Sequence, residues 1–451
     1  MTSNPQVRLE SHLHPIPSFD VADFPLPSGR EEVWRFAPIA RFAELLREPV
    51  SPVAAPADSF DAPFGKGGAP EGGGGVFGEG RGANPRQAAP ATPFEKGALS
   101  GQVAPATPFE KGALSGQAAA AIAFTYNMPV PDGVTFGTLA PGAGVRGSVL
   151  VPVDRAAALA SAGAVAARHV RIAAGANLTQ PVVLTFTGNG QRATEHLVIE
   201  AGEDSTAIVV VEHRGSALFL GNIEVVLHER AKLVLVSVQD WAADAVHGGM
   251  HAAAVGADAQ YRHIMMTFGG DAVRLQNAVK YTGAGGSAEL FGLYFTDAGQ
   301  YQEHRLFVDQ NAPHTVSRVD YRGALQGKGA HAVWVGDVLI RREAVGIDSY
   351  EANKNLVLTD GCRADSVPNL EIETGNIKGA GHSSTTGRFD DGQLFYLMSR
   401  GLDEAEARRL VVQGFFYDII RRIGVPTIEE QLKHLVDAEL NSEFATASDQ
   451  G

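Results

Sequence analysis

The chain has 451 residues, a formal net charge of −14 and 44% hydrophobic residues. That length exceeds one ordinary core, and no apolar run approaches the ~18 residues of a membrane span. An acidic chain without a basic, aromatic-interleaved stretch makes a poor nucleic-acid binder.

The single cysteine, Cys362, excludes an internal disulfide framework and a metal cluster held by this chain's thiolates alone. It suits a reducing cytosol. The first residues show no basic region followed by an apolar stretch, so a cytoplasmic location is expected.

Residues 1–50 begin as Pro-rich coil and are expected to form an N-terminal helical segment. Ile39 to Arg47 is amphipathic at helical spacing, and Trp34 reads as a packing anchor. Residues 51–121 are rich in Ala, Gly and Pro and carry a tandem fifteen-residue duplication, 87–101 and 102–116, whose copies differ only at Ala88 and Val103. Two copies are too few for a solenoid, and low apolar density with repeated prolines predicts a flexible linker. The weaker reading makes each copy a docking motif anchored on Phe94 or Phe109.

Residues 122–386 read as a mainly β region. Asp154 to Ala167 predicts an Ala-rich helix. Short runs rich in Val, Ile and Leu follow at 180–187, 197–199, 207–211, 223–227 and 233–238, bounded by Gly, Asp or Asn and without long intervening helices. Small residues open comparable strands at Ser205, Ala231, Ala259 and Ser287, at spacings of 26, 28 and 28 residues. That period suits one coil of a parallel β-helix, with terminal helices needed to cap the ladder. A β-sandwich is the competing architecture, and the coil-length repeat favours the solenoid.

Residues 387–451 read as a C-terminal helical domain. Asp390 or Asp391 can cap a helix through Arg400, Asp403-x-x-Glu406 is a capping box for a second, and Thr427-x-x-Glu430 begins a third.

The chemistry-bearing motifs are few. Gly323 to Gly329 is glycine-rich but lacks the order of a phosphate-binding loop, and neither a G-x-S-x-G elbow nor an H-E-x-x-H motif occurs. The chain is therefore not expected to be an enzyme. Among the histidines, His247 and His251 have i, i+4 spacing, but two glycines between them make a metal-binding helix doubtful. His12 and His14 fall in the coil-like start. His213, His228, His263, His304, His314 and His331 sit in or beside strands and read mostly as satisfied surface or coil-edge residues.

Two candidates remain. Cys362 reads first as a small, partly buried hydrophobe in a turn; as a thiolate ligand it would need a basic neighbour, for which Arg363 qualifies. His382 follows Gly379 and Gly381 in what reads as an accessible Gly-rich turn between strand and helix. Its imidazole suits iron.

Asp348 to Gly424 resembles the SufB/SufD family of iron–sulfur cluster assembly proteins. The resemblance is carried by Pro368-Asn-Leu-Glu-Ile372, His382-Ser-Ser-Thr-Thr-Gly387, Gln393-Leu-Phe-Tyr-Leu-Met-Ser-Arg-Gly401 and Ala405 to Phe415. Glu32-Val-Trp-Arg-Phe36, Met128 to Val134 and Asn311-Ala-Pro-His-Thr315 extend it over most of the chain outside 51–121. The motif at His382 has the form of the SufD branch, where the SufB branch reads H-E-A-T-T-S.

The resemblance implies a β-helix core with terminal helical domains, acting as a scaffold for cluster assembly. It implies pairing with a SufB-like paralogue and docking of a SufC-like ABC ATPase, two copies per complex, with Phe395, Tyr396, Arg400, Phe415 and Phe416 on the C-terminal helices facing it. It leaves open a homodimer where SufB is absent. No cofactor is expected to be bound permanently by this chain alone; a transient iron ion or iron–sulfur cluster would be shared with SufB through His382. Many SufD sequences carry a cysteine where this chain has Ala380, and Cys362 falls where SufB usually has its ligand cysteine.

Two rivals belong to other classes. One is a purely structural partner of SufB that contributes no ligand. The other is a carbohydrate-acting β-helix enzyme, disfavoured by three Trp and no evident carboxylate cluster.

Overall fold

A computed structural model describes residues 13–47, 121–388, 391–422 and 426–448. Apart from Ala121, the expected linker and its duplication lie outside the described residues.

The fold is mainly β, a parallel solenoid flanked by helices, as the coil-length repeat predicts. Two 3-10 turns, Val21–Asp23 and Glu32–Trp34, precede a short helix α1 (Ile39–Phe42). The amphipathic pattern through Arg47 predicts a longer helix, but the chain leaves Phe42 in turns. Next come β1 (Ile122–Tyr126), β2 (Val134–Leu139), helix α2 (Arg155–Gly163) capped by Asp154, and β3 (Ala167–Ile172). Strands β4 (Val182–Ala201) and β5 (Thr206–Leu227) are long enough to run through both sheets of the solenoid.

Thereafter every strand has ten residues: β6 (Lys232–Trp241), β7 (Val246–Val255), β8 (Gln260–Gly269), β9 (Ala272–Tyr281), β10 (Ser287–Thr296) and β11 (Tyr301–Gln310). The series ends with β12 (Val316–Leu325), β13 (His331–Ile340), β14 (Asp348–Val357), β15 (Arg363–Ile372) and β16 (Gly379–Arg388). From β6 onward the even strands stack on one wall and the odd strands on the other, both in parallel register. The repeat read from the sequence is the even wall, where Thr206, Lys232, Gln260 and Ser287 lie in one column.

The turns that set this column carry left-handed residues. Asp204, Arg230 and Asp258 have φ of 55°, 56° and 53°. Asp tolerates that conformation. Arg230 is held there by its backbone N–H to the Ala257 carbonyl and by its guanidinium to Asp204 and Glu203.

Helices cover both outer walls. α3 (Asp391–Ser399), α4 (Glu404–Ile420) and α5 (Pro426–Ser448) follow the solenoid. The Asp403 capping box forms as predicted, its carboxylate accepting from the Glu406 N–H at 2.7 Å. Val412, Phe416, Ile420 and Leu432 pack on Val236, Met266, Leu293 and Phe295 of the even wall. On the odd wall Trp34, Phe42 and Leu46 pack with α2 against Val246, Tyr301 and Val335. Trp34 is the packing anchor expected of it. Its ring stacks on the buried Arg274 guanidinium at 3.9 Å, which also meets Asp154 at 2.5 Å and Glu303 at 3.3 Å. Among the described residues no helix is long and apolar enough to cross a membrane.

The lumen between the walls is apolar at its margins and polar along its middle. His213, His247, His251, His263 and His304 are all buried in it, which corrects the expectation that the strand histidines among them are surface or coil-edge residues. His247 and His251 share one face of strand β7 instead of a helix, and each meets a different neighbour: His213 and His263, respectively, at ring distances of 5.3 and 5.4 Å. Burial pulls the imidazoles down, His213 to about 4 with the Val238 carbonyl opposing, and His263 and His304 to about 3.

These histidines make the fold acid-sensitive. The unfolded chain binds a proton near pH 6.5 at each site and the folded chain does not, so stability falls as pH drops from ~6.5 toward 4. His213→Phe, which keeps the stack on Phe186 at 5.3 Å, is expected to weaken that dependence. Urea midpoints at pH 7.5 and 5 test this: the wild-type midpoint should drop further than the variant's.

Candidate functional site at the open end of the solenoid

The two ends of the solenoid differ. At the N-terminal end the ladder finishes in two short antiparallel strands, β1 of five residues on β4 and β2 of six residues on β3. At the other end β15 pairs with β13 and β16 with β14, and among the described residues no further strand adds to either. Two ten-residue edges are thus left with open backbone N–H and C=O groups, a template for another chain.

His382 lies in β16, not in a turn. The glycines before it, expected to make a loop, lie on the same strand. Gly381 is there for close packing, since a Cβ would come 3.2 Å from the Tyr350 ring. The register sets His382 beside Glu351 of β14, itself beside Val319 of β12. The alternation of β14 buries Ser349, Glu351, Asn353 and Asn355 and leaves Tyr350 and Lys354 exposed, so His382 shares the lumen-facing column at the open mouth.

Beneath the histidine the lumen is polar. The His382 side chain is 43% exposed, and its Nδ1 lies 4.0 Å from Glu351 Oε1. Glu351 is 1% exposed, and neither of its carboxylate oxygens has a hydrogen-bond partner among the described residues. Burial, with Asp337 adding repulsion, pushes its carboxyl up to about 8. Room for it is made at Gly336, where a Cβ would sit 2.5 Å from Glu351 Oε2 and 2.3 Å from the Trp334 ring. Further along the same layer the groups are satisfied. Tyr294 OH donates to Asn355 Oδ1 at 2.5 Å, Asn355 Nδ2 to Asn353 Oδ1 at 2.7 Å, and Ser366 Oγ to the same oxygen at 2.7 Å.

Cys362 is not brought to this site. It is a partly buried residue in the turn before β15, its thiol donating to the Gly327 carbonyl at 3.3 Å, with Thr359 Oγ1 at 3.5 Å. Consecutive strands cross the lumen in opposite directions, so Cys362 faces the Arg388 end of β16. At ~3.3 Å per residue that is on the order of 20 Å from His382, too far to share one ion. Arg363 turns away to Asp365, its Nε 2.7 Å from Oδ2.

A donor cluster missed by sequence reasoning lies at the outer edge of the same coil. His14, Glu371 and Glu373 place ligand atoms within 4.8 Å of one another, with His14 Nε2 3.2 Å from Glu371 Oε1. The group is largely exposed, and only chain folding across 357 positions creates it.

The C-terminal helices divide the residues expected to face a partner. Phe416 is fully buried against the even wall, and Phe415 is part-buried, its carbonyl accepting from Arg322 at 2.9 Å. These two fasten the helices to the solenoid, so Phe416 is withdrawn from the docking set. Phe395 and Tyr396 are 74% and 56% exposed on α3, with Arg400 over the Tyr396 ring at 5.1 Å and Met398 and Leu410 exposed nearby.

Comparison with known proteins places this architecture. Residues 184–415 match the family model described as the SufBD core domain of SUF system FeS cluster assembly. An iron–sulfur cluster assembly SufBD family protein of Mycobacterium bovis is 52% identical over 298 residues, covering 64% of this chain and 75% of the relative. One of Mycobacterium leprae is 48% identical over 316 residues, 68% and 81% of the two chains. A cyanobacterial relative from Synechocystis is 26% identical over 213 residues, 47% of each.

The division of the aromatic residues is testable by stability. Phe416→Ala is expected to cost about 3–5 kcal/mol through the cavity it leaves, while Phe395→Ala stays within about 0.5 kcal/mol of wild type. Chemical denaturation of the two variants side by side reads the difference.

Proposed function

The chain belongs to the SufBD family of iron–sulfur cluster assembly proteins, and we propose that within it the chain acts as the SufD-type scaffold subunit. Its open end would pair with a SufB-like paralogue, and its C-terminal helices would dock a SufC-like ATPase. The observation that carries this reading is the terminal coil itself, two unpaired strand edges with a half-exposed histidine between them. The order His382-Ser-Ser-Thr-Thr-Gly387, in which Ser383 stands where the SufB form has Glu, supports the assignment to the SufD side.

Iron, or a nascent cluster, is cargo in this scheme. His382 offers it an imidazole nitrogen, and the remaining ligands would come from the paralogue. Cys362 is left out because it sits at the far edge of the coil. The exposed Phe395, Tyr396 and Arg400 with Met398 form the surface offered to the ATPase. Movement of that subunit on ATP would pass through α3 into β16, which lies just before it in the chain, and so to the interface at His382. No step needs a nucleophile or general base from this chain, in keeping with a scaffold.

Co-expression with SufB and SufC, followed by light scattering, is expected to give a complex of one SufB, two SufC and one copy of this chain. Reconstitution with iron and sulfide should be impaired by His382→Ala with the stoichiometry unchanged. SufB and SufC assembling without this chain would overturn the subunit assignment. A wild-type rate of cluster formation in the variant would remove the ligand role.

A further inference from the structure

We propose that Glu351 is a positioning residue for His382: its carboxylate accepts the Nδ1–H of the histidine, fixing the ring so that Nε2 is presented at the open face to a divalent transition-metal ion. This rests on the reading of His382 as the metal-facing residue and adds to it a second group, inside the lumen, one coil back in the chain.

The argument begins with a contrast among buried carboxylates. Glu224 is buried, yet it accepts from the backbone N–H groups of Gly147, Val149 and Leu150 at 2.7, 2.8 and 3.2 Å and contacts His196 Nε2 at 3.3 Å. Glu303 and Asp154 are buried, yet both meet the Arg274 guanidinium. Glu351 is as deeply buried as these, and neither oxygen has a hydrogen-bond donor among the described residues. A buried polar group left without partners calls for an explanation outside the fold. The cation nearest to it, when protonated or metal-bound, is His382, at 4.0 Å.

The geometry fixes the direction of the pairing. Nδ1 is the ring nitrogen facing Glu351, at 4.0 Å, which leaves Nε2 as the atom for a ligand. A ring nitrogen bound to metal makes the opposite N–H a stronger donor, and a carboxylate behind it sets the tautomer and the orientation. Closing 4.0 Å to a hydrogen bond takes a shift of about 1 Å, within reach of a side chain as exposed as His382. Gly336 supplies the space for the carboxylate: a Cβ there would collide with both Glu351 and Trp334.

The test uses the purified complex of the full-length chain, carrying His14→Ala to remove the His14, Glu371 and Glu373 donor cluster, with its SufB-like paralogue, titrated with Co²⁺ by visible absorption, with thermal unfolding of the metal-free complexes alongside. Glu351→Gln is expected to weaken Co²⁺ binding by about 10- to 100-fold, to move the absorption band, and to leave the unfolding midpoint unchanged or higher. Glu351→Asp should recover part of the affinity, and His382→Ala should weaken binding at least as much as Glu351→Gln. If Glu351→Gln binds Co²⁺ as wild type does while His382→Ala does not, the positioning role is overturned and the histidine site stands. If Glu351→Gln lowers the unfolding midpoint together with the affinity, the carboxylate belongs to the fold and the positioning role again falls. If the complex takes up no Co²⁺, or His382→Ala binds as well as wild type, the histidine site itself is overturned.

Discussion

A parallel ladder has two ends, and each end leaves a row of backbone donors and acceptors to be satisfied. In this molecule that constraint is handled differently along the ladder. Short antiparallel strands β1 and β2 cover the first coils. Along the body, each coil satisfies the next and the helices cover the outer walls, with Phe416 and its neighbours on one side and Trp34 and Phe42 on the other. β15 and β16 leave the longest edges at the ends of the ladder, ten residues each against five and six for β1 and β2, and the half-exposed His382 lies on that last strand. The proposed pairing with a paralogue of the same fold would meet the constraint at this end as well, by continuing the ladder across an interface.

Burial of charge follows a related logic. The solenoid buries whole ionic groups where the partners are complete: Arg274 between Trp34, Asp154 and Glu303, and Glu224 beneath three backbone N–H groups and His196. Burial works to raise the Glu224 carboxyl, but the donors outweigh it and hold it below the ordinary range. At the open mouth the balance reverses, and Glu351 is pushed up for want of such donors. The contrast separates charges that specify the fold from one that the fold merely tolerates.

Much of this was legible in the sequence, and the failures have physical causes. The column Thr206, Lys232, Gln260 and Ser287 repeats its polar turn and small residue, so the even wall could be read as coils. The odd wall could not. Strand β7, Val-His-Gly-Gly-Met-His-Ala-Ala-Ala-Val, is buried at every position, because its outer face lies under helices and its inner face lines a polar lumen. Such a strand shows neither alternation nor high β-propensity. A different cause hid His382: its Gly- and Ser-rich edge strand has no buried residue and resembles a loop, being held by its register with β14. Glu351 was hidden because the coils lengthen: the early spacing of 26 to 28 residues falls short of His382, and the register joins the two only through a step of 31. Phe415 and Phe416 are consecutive and look equivalent in sequence; only the helix docking decides that Phe416 is interior.

The central claim, that the open terminal coil is the working face, is tested most directly by amide hydrogen exchange on the chain alone and in complex with a SufB-like paralogue. The account predicts that the amides of β15 and β16 exchange readily alone and become protected in the complex, with β1 and β2 unchanged. Protection confined to β1 and β2 or the outer walls, with β16 exchanging as before, would contradict it.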